Sequence, residues 1–158
     1  MSINLQKGQK IDLTKGKIGL KHIMVGLGWD EAQQNSSGGF LGLFKSKPQN
    51  IDCDASAILC DSNGKYMDLV YYGKLQSSDG SITHQGDNLT GAGDGDDEQI
   101  IVDLSKVNSL VGKIVFVVNI YSASDRKQHF GMIQNAFIRL IDMDKNNEIC
   151  RYNLSDNY

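Results

Sequence analysis

Residues 86–98 read GDNLTGAGDGDDE, in which five carboxylates (Asp87, Asp94, Asp96, Asp97 and Glu98) stand among four glycines, with Leu89 the one large apolar side chain. Carboxylates crowded so closely repel one another and cannot all stay ionised cheaply if the segment packs down. A cation would resolve that conflict. The donors within the run are oxygens: the five carboxylates, the side chains of Asn88 and Thr90, and carbonyls that the glycines leave exposed. A second acidic pair, Asp52 and Asp54 in NIDCDAS, is spaced two apart and so points to one side of an extended chain. With no histidine or cysteine inside the run, zinc and copper have little to hold. Calcium accepts about six to eight oxygens in irregular geometry, whereas magnesium demands a tight octahedron and keeps its waters, so calcium is the expected ion. Composition alone leaves a second reading open, a solvated hairpin loop whose acids face water. Asn88 and Thr90 interleaved among the acids favour the metal reading.

Other chemistries fit less well. The run does not follow the EF-hand pattern, and DMDKNNE at 142–148 lacks the required sixth-position glycine and lies between strand patterns, so a hairpin turn is expected there. DCDAS at 52–56 and GDGDDE at 93–98 each resemble a signature of haloacid-dehalogenase-type phosphatases. Those enzymes need a hydrophobic parallel strand before the first aspartate and a helix-wrapped sheet, but this chain offers PQNI and hardly any helix. His22, His84 and His129 show no spacing tied to a serine or cysteine nucleophile. His84, three residues before Asp87, falls at the edge of the acidic run, where an ordinary surface histidine is expected. GAGDG is no phosphate cradle, since its carboxylates would repel phosphate unless a metal intervened.

The elements that must position these acids repeat with a period of two, the mark of half-buried strands. In HIMVGLGW, residues 22–29, Ile23, Val25, Leu27 and Trp29 share one face while Met24, Gly26 and Gly28 share the other. Further strands are expected at 54–60, 66–72, 100–104, 114–121, 135–142 and 148–154, separated by turn signals such as DSNGK and DKNNE. Helix is scarce: SKVNSLVG at 105–112 predicts one short helix, and a further turn is expected before Asn135. Many short strands with little helix predict an all-β fold, an antiparallel β-sandwich, in a single domain over residues 1–158. A long loop insertion at about 31–50 interrupts the spacing around the apolar knot FLGLF. That knot either touches a partner or membrane surface or folds back over an open end of the sandwich, and the second is preferred because apolar loop residues on a monomer usually find cover.

The formal charge of -3 argues against a nucleic-acid surface, and no apolar run approaches the length of a membrane span. The polar, lysine-bearing start lacks the apolar core of a signal peptide, so the chain is expected to stay in the cytoplasm. Three cysteines, Cys53, Cys60 and Cys150, odd in number and without a C-x-x-C pair, fit buried thiols in a reducing compartment.

Taken in order, INLQKGQKIDL, IMVGLGWD, IDCDASAIL, GDNLTGAGDGDDEQIIVDL and NAFIRLID resemble the TerD-domain family of tellurite-resistance and general stress proteins over nearly the whole chain. The resemblance implies a bacterial, non-catalytic calcium-dependent binding or scaffold module holding two ions, with partners among stress-response or membrane-associated proteins of the same system. It implies as ligands Asp52, Asp54, Asp87, Asn88, Thr90, the Gly91 carbonyl, Asp96, Asp97 and Glu98. Ala92 stands where the family commonly has glutamate. The alternative is a metal-dependent phosphatase or hydrolase using the same aspartates.

Overall fold

The computed structural model describes residues 2–6, 9, 12, 19–31, 51–86 and 95–154. Across these residues the chain forms nine strands: β1 (Ile3–Asn4), β2 (His22–Glu31), β3 (Cys53–Asp61), β4 (Tyr66–Val70), β5 (Ile82–His84), β6 (Glu98–Asp103), β7 (Val111–Ile120), β8 (Ile133–Asp142) and β9 (Asn147–Asn153). Helix is confined to one turn, α1 (Ala123–Arg126), and a 3-10 turn at Phe130–Met132. The strands pair into a six-stranded sheet of order β1-β9-β8-β2-β6-β5 and a three-stranded sheet of order β4-β3-β7. Pairing is antiparallel except between β1 and β9, which run parallel. This is the expected all-β sandwich.

Its core lies between the sheets. Ile23, Val25, Leu27 and Trp29 are buried together with Ile100, Val102 and Leu140 of the larger sheet, and they meet Cys53, Ala55, Ala57, Leu59 and Val70 of the smaller one. Fully burying a large aliphatic side chain is worth about 1.5–3 kcal/mol. A one-residue slip of β2 would turn its four core residues outward, so this burial fixes the register. All three cysteines are buried. Among the described residues no helix is long and apolar enough to cross a membrane.

On the outward face of β2 the glycines have a steric reason. A Cβ at Gly26 would lie 2.3 Å from Asp96 Cγ, and one at Gly28 would lie 2.3 Å from the Gly95 carbonyl oxygen and 2.6 Å from the Phe137 ring. The segment leading into β6 therefore lies directly on β2. Nearby, a bulge in the β2–β8 pairing leaves Asn135 with φ 53 and lets its side-chain amide donate to Asp30 Oδ2 at 2.7 Å.

The helix predicted at 105–112 does not form. Asp103 Oδ1 accepts the Ser105 N–H at 3.0 Å and Asn108 Oδ1 accepts the Leu110 N–H at 2.9 Å, so local side-chain turns take the amides that a helix would use. Pairing with Asp61 then draws Val111 into β7. The short strands β1 and β5 are additions to the sequence reading, while α1 and the 3-10 turn fall before Asn135 as expected. The insertion at 32–50, FLGLF included, lies outside the described residues.

Two measurements check this packing. Gly28→Ala should lower stability by about 1–3 kcal/mol in urea unfolding, because the new methyl overpacks against backbone and ring. Acid should also act through Asp68: burial pushes its carboxyl up, but hydrogen bonds from Lys74 and from the Ser78 and Leu69 amides outweigh that and hold it at about 2, against 3.8 when unperturbed. A depressed folded value stabilises above the unfolded pKa, so this contribution is lost as pH falls from about 4 towards 2. Asp68→Asn should flatten that part of the pH–stability curve.

Candidate functional site

At the start of β3 the chain Ile51-Asp52-Cys53-Asp54-Ala55 is buried throughout. The Asp54 Oδ2 accepts the Asn119 side-chain amide at 3.0 Å, the two residues being direct partners across β3 and β7. The Asp52 backbone carbonyl accepts the Tyr121 N–H at 2.8 Å. Asp52 is 7% exposed, and its Oδ1 has no hydrogen-bond partner among the described residues. Burial pushes the Asp52 carboxyl up, Arg126 of α1 pulls it down, and Glu98 pushes it up again, for a net rise.

The second group arrives from the larger sheet. Along β6 the inward positions are Glu98, Ile100 and Val102, so a carboxylate occupies the first core-facing place of an otherwise apolar row. Glu98 is 1% exposed, and its Oε2 accepts the Ala55 N–H across the sandwich at 2.7 Å. His84, expected at the surface, is instead buried beside it, because β5 pairs with β6 and turns the ring inward. Its Nδ1 accepts the Gly86 N–H at 3.1 Å, which leaves the ring proton on Nε2, 3.5 Å from Glu98 Oε2. Just before β6, the Asp97 N–H donates to the Leu27 carbonyl at 2.7 Å while Asp97 Oδ2 accepts the Trp29 N–H at 2.9 Å. Burial raises the Asp97 carboxyl, the Trp29 bond lowers it, and Asp30, Asp96 and Glu98 raise it, again for a net rise.

Asp52 and Asp54 flank Cys53 in the chain, and Glu98 reaches the next amide, that of Ala55. The Cys53 thiol is pushed up to about 12, first by burial and then by the charges of Asp52, Asp54, Glu98 and Asp97. Asp96 is placed differently: on the outward face over Gly26, its Oδ1 accepts from Arg139 Nε at 2.7 Å and its Oδ2 from Arg139 Nη2 at 2.9 Å. Asp87, Asn88, Thr90 and Gly91 lie outside the described residues. Among the described residues alone, no three histidine, cysteine, aspartate or glutamate side chains form a group able to hold a metal ion. The chemistry of the donors still matches a hard cation. Oxygens predominate, Cys53 stays a thiol, His84 Nε2, which bears the ring proton, lies 3.5 Å from Glu98 Oε2, and Asp52 Oδ1 is a buried acceptor with no donor among the described residues.

Sequence reasoning expected His84 at the surface, and it missed Asn119, Arg126 and Arg139. Two of these carry a signal in retrospect, Asn119 and Arg139 being the polar interruptions of the apolar strands IVFVVNIY and NAFIRLID.

The whole chain, residues 1–158, matches the profile described as the TerD domain. It is 56% identical over 162 residues to the stress response protein SCP2 of Bacillus subtilis (strain 168), covering 100% of this chain and 80% of that one. To the tellurium resistance protein TerD of Serratia marcescens it is 46% identical over 159 residues, covering 99% of this chain and 77% of that one. In three dimensions it resembles the crystal structure of a homologue of telluride resistance protein (TerD) from Streptomyces coelicolor A3(2), with TM-score 0.65 over 84% of this chain and 71% of that one at 20% identity, a likeness of fold.

The unpartnered Asp52 oxygen generates a prediction. Its folded pKa lies above the unfolded 3.8, so ionisation at neutral pH costs stability that protonation at lower pH relieves. In chelator, Asp52→Asn should stabilise the protein by about 1 kcal/mol at pH 7, read as a higher urea midpoint, with less gain near pH 4.

Proposed function

Because this chain belongs to the TerD domain family, we propose that it is a calcium-binding stress-response protein, acting in the cytoplasm as a non-catalytic module that docks partners of the same resistance system. Relatives named for stress response and tellurium resistance support the setting. The observation that carries the metal reading is the buried Asp52 Oδ1, which has no hydrogen-bond donor among the described residues and feels the negative charge of Glu98.

Each residue has a part in this reading. Asp52 and Asp54 offer carboxylates from the smaller sheet, and Glu98, with Asp97 just ahead of it, offers them from the larger sheet. Asp87, Asn88, Thr90 and the Gly91 carbonyl complete the proposed ligand set from the glycine-rich run, a set proposed to hold two ions. Calcium, when bound, supplies positive charge without redox or acid–base chemistry. The carboxylates, relieved of mutual repulsion, then tie the end of one sheet to the end of the other. Asn119 and the Trp29 and Ala55 amides hold their carboxylates in place before any ion arrives, so little ordering is left to binding.

Calorimetric titration of chelator-stripped protein tests the reading. Calcium should bind and magnesium should bind far more weakly. Calcium at a hundred times its dissociation constant should add about 2.7 kcal/mol of stability, and Asp54→Asn combined with Asp97→Asn should remove most of it. Absence of calcium heat together with magnesium-dependent phosphatase turnover would instead favour a hydrolase built on the same aspartates.

A further inference from the structure

In GDGDDE, Asp96 has both carboxylate oxygens taken by one arginine, Arg139. The pair is built into the sheet. In register, Gly26 of β2 stands opposite Arg139 of β8, which stands opposite Arg151 of β9. Directly opposed residues in a ladder normally fill the space between them with side chains. Gly26 has none, and the carboxylate of Asp96 occupies that space, where a Cβ would come within 2.3 Å of its Cγ. From the other side, Glu148 Oε2 lies 3.6 Å from Arg139 Nη1 and 3.0 Å from Arg151 Nη2. Arg151 in turn stacks over Phe137 at 4.0 Å. The Asp96 side chain is 2% exposed, and bidentate arginine–carboxylate pairs of this kind are short, directional and strong.

What this clamp holds is the approach to the carboxylate site. Gly95, with φ 109, brings the chain in, and the two residues after Asp96, Asp97 and Glu98, are fixed by the Leu27 carbonyl, the Trp29 amide and the Ala55 amide. We propose that Arg139 is a positioning residue for that site: by seating Asp96 over Gly26 it fixes residues 95–97 on β2, so that Asp97 and Glu98 face the cation while Asp96 stays out of its coordination shell. The inference deepens the calcium reading and rests on it.

A double-mutant cycle separates positioning from ligation. Asp96→Asn and Arg139→Met should each weaken calcium binding by about tenfold, the size of effect seen when groups that orient a ligand are removed. Together they should cost no more than the worse single change, because either one dissolves the same clamp. Arg139→Lys should recover part of the loss and also serves if the methionine variant fails to fold. In chelated protein, amide exchange at Asp97 and Trp29 should accelerate equally in Asp96→Asn and Arg139→Met, with Ile100 and Val102 unchanged. Additive losses, or a full Asp96→Asn loss in the Arg139→Met background, would make Asp96 a ligand and overturn the inference while leaving calcium binding intact. Unchanged exchange in both variants would overturn it as well. Wild-type protein that binds no calcium would overturn the functional reading, and this inference with it.

Discussion

The hydrogen bond from the Ala55 amide to Glu98 is the constraint on which the rest of the site depends. A carboxylate shut between two sheets is expensive unless its oxygens are served. Here the service comes from the opposite layer, with the protonated nitrogen of His84 close by. The arrangement requires β3 to leave an amide uncommitted at Ala55 and β5 to deliver an imidazole to the same spot. The pairing scheme meets the first condition, since β4 stops alongside β3 at Ala57 and does not reach Ala55.

On the opposite face of β2 the same few residues solve a different problem. The segment before β6 must lie flat on a strand, and two glycines remove the side chains that would lift it. The vacated space is filled by Asp96, and an arginine pair with an aromatic ring supports it from β8 and β9. Inward packing and outward ion pairing are therefore coupled through alternate residues of one strand, Leu27 and Trp29 serving the core while Gly26 and Gly28 serve the approach.

The sequence was most legible where a single physical pattern ruled. The alternation of residues 22–29 placed β2, its buried face and its glycine face correctly, because a two-residue period leaves only one way to bury four large side chains. It misled where short polar side chains compete for amides: Asp103 and Asn108 turn what looked like a helix into successive turns. For the site, the sequence marked the acids, and the structure seats Asp54 against Asn119, Glu98 against the Ala55 amide and Asp97 against the Trp29 amide. It gave no hint that Asp96 would face the other way or that His84 would be buried. Both depend on strand pairings made far along the chain, which local spacing does not encode.

Trp29 spends its two N–H groups on the two chain segments that bear the acids. The backbone amide goes to Asp97 and the indole nitrogen to the Ile51 carbonyl at 3.1 Å, next to Asp52. It is also the single tryptophan of the chain. Nature has thus set the molecule's one strong fluorophore at the junction of both segments, and its emission carries, without any attached dye, a local record of how they stand to each other.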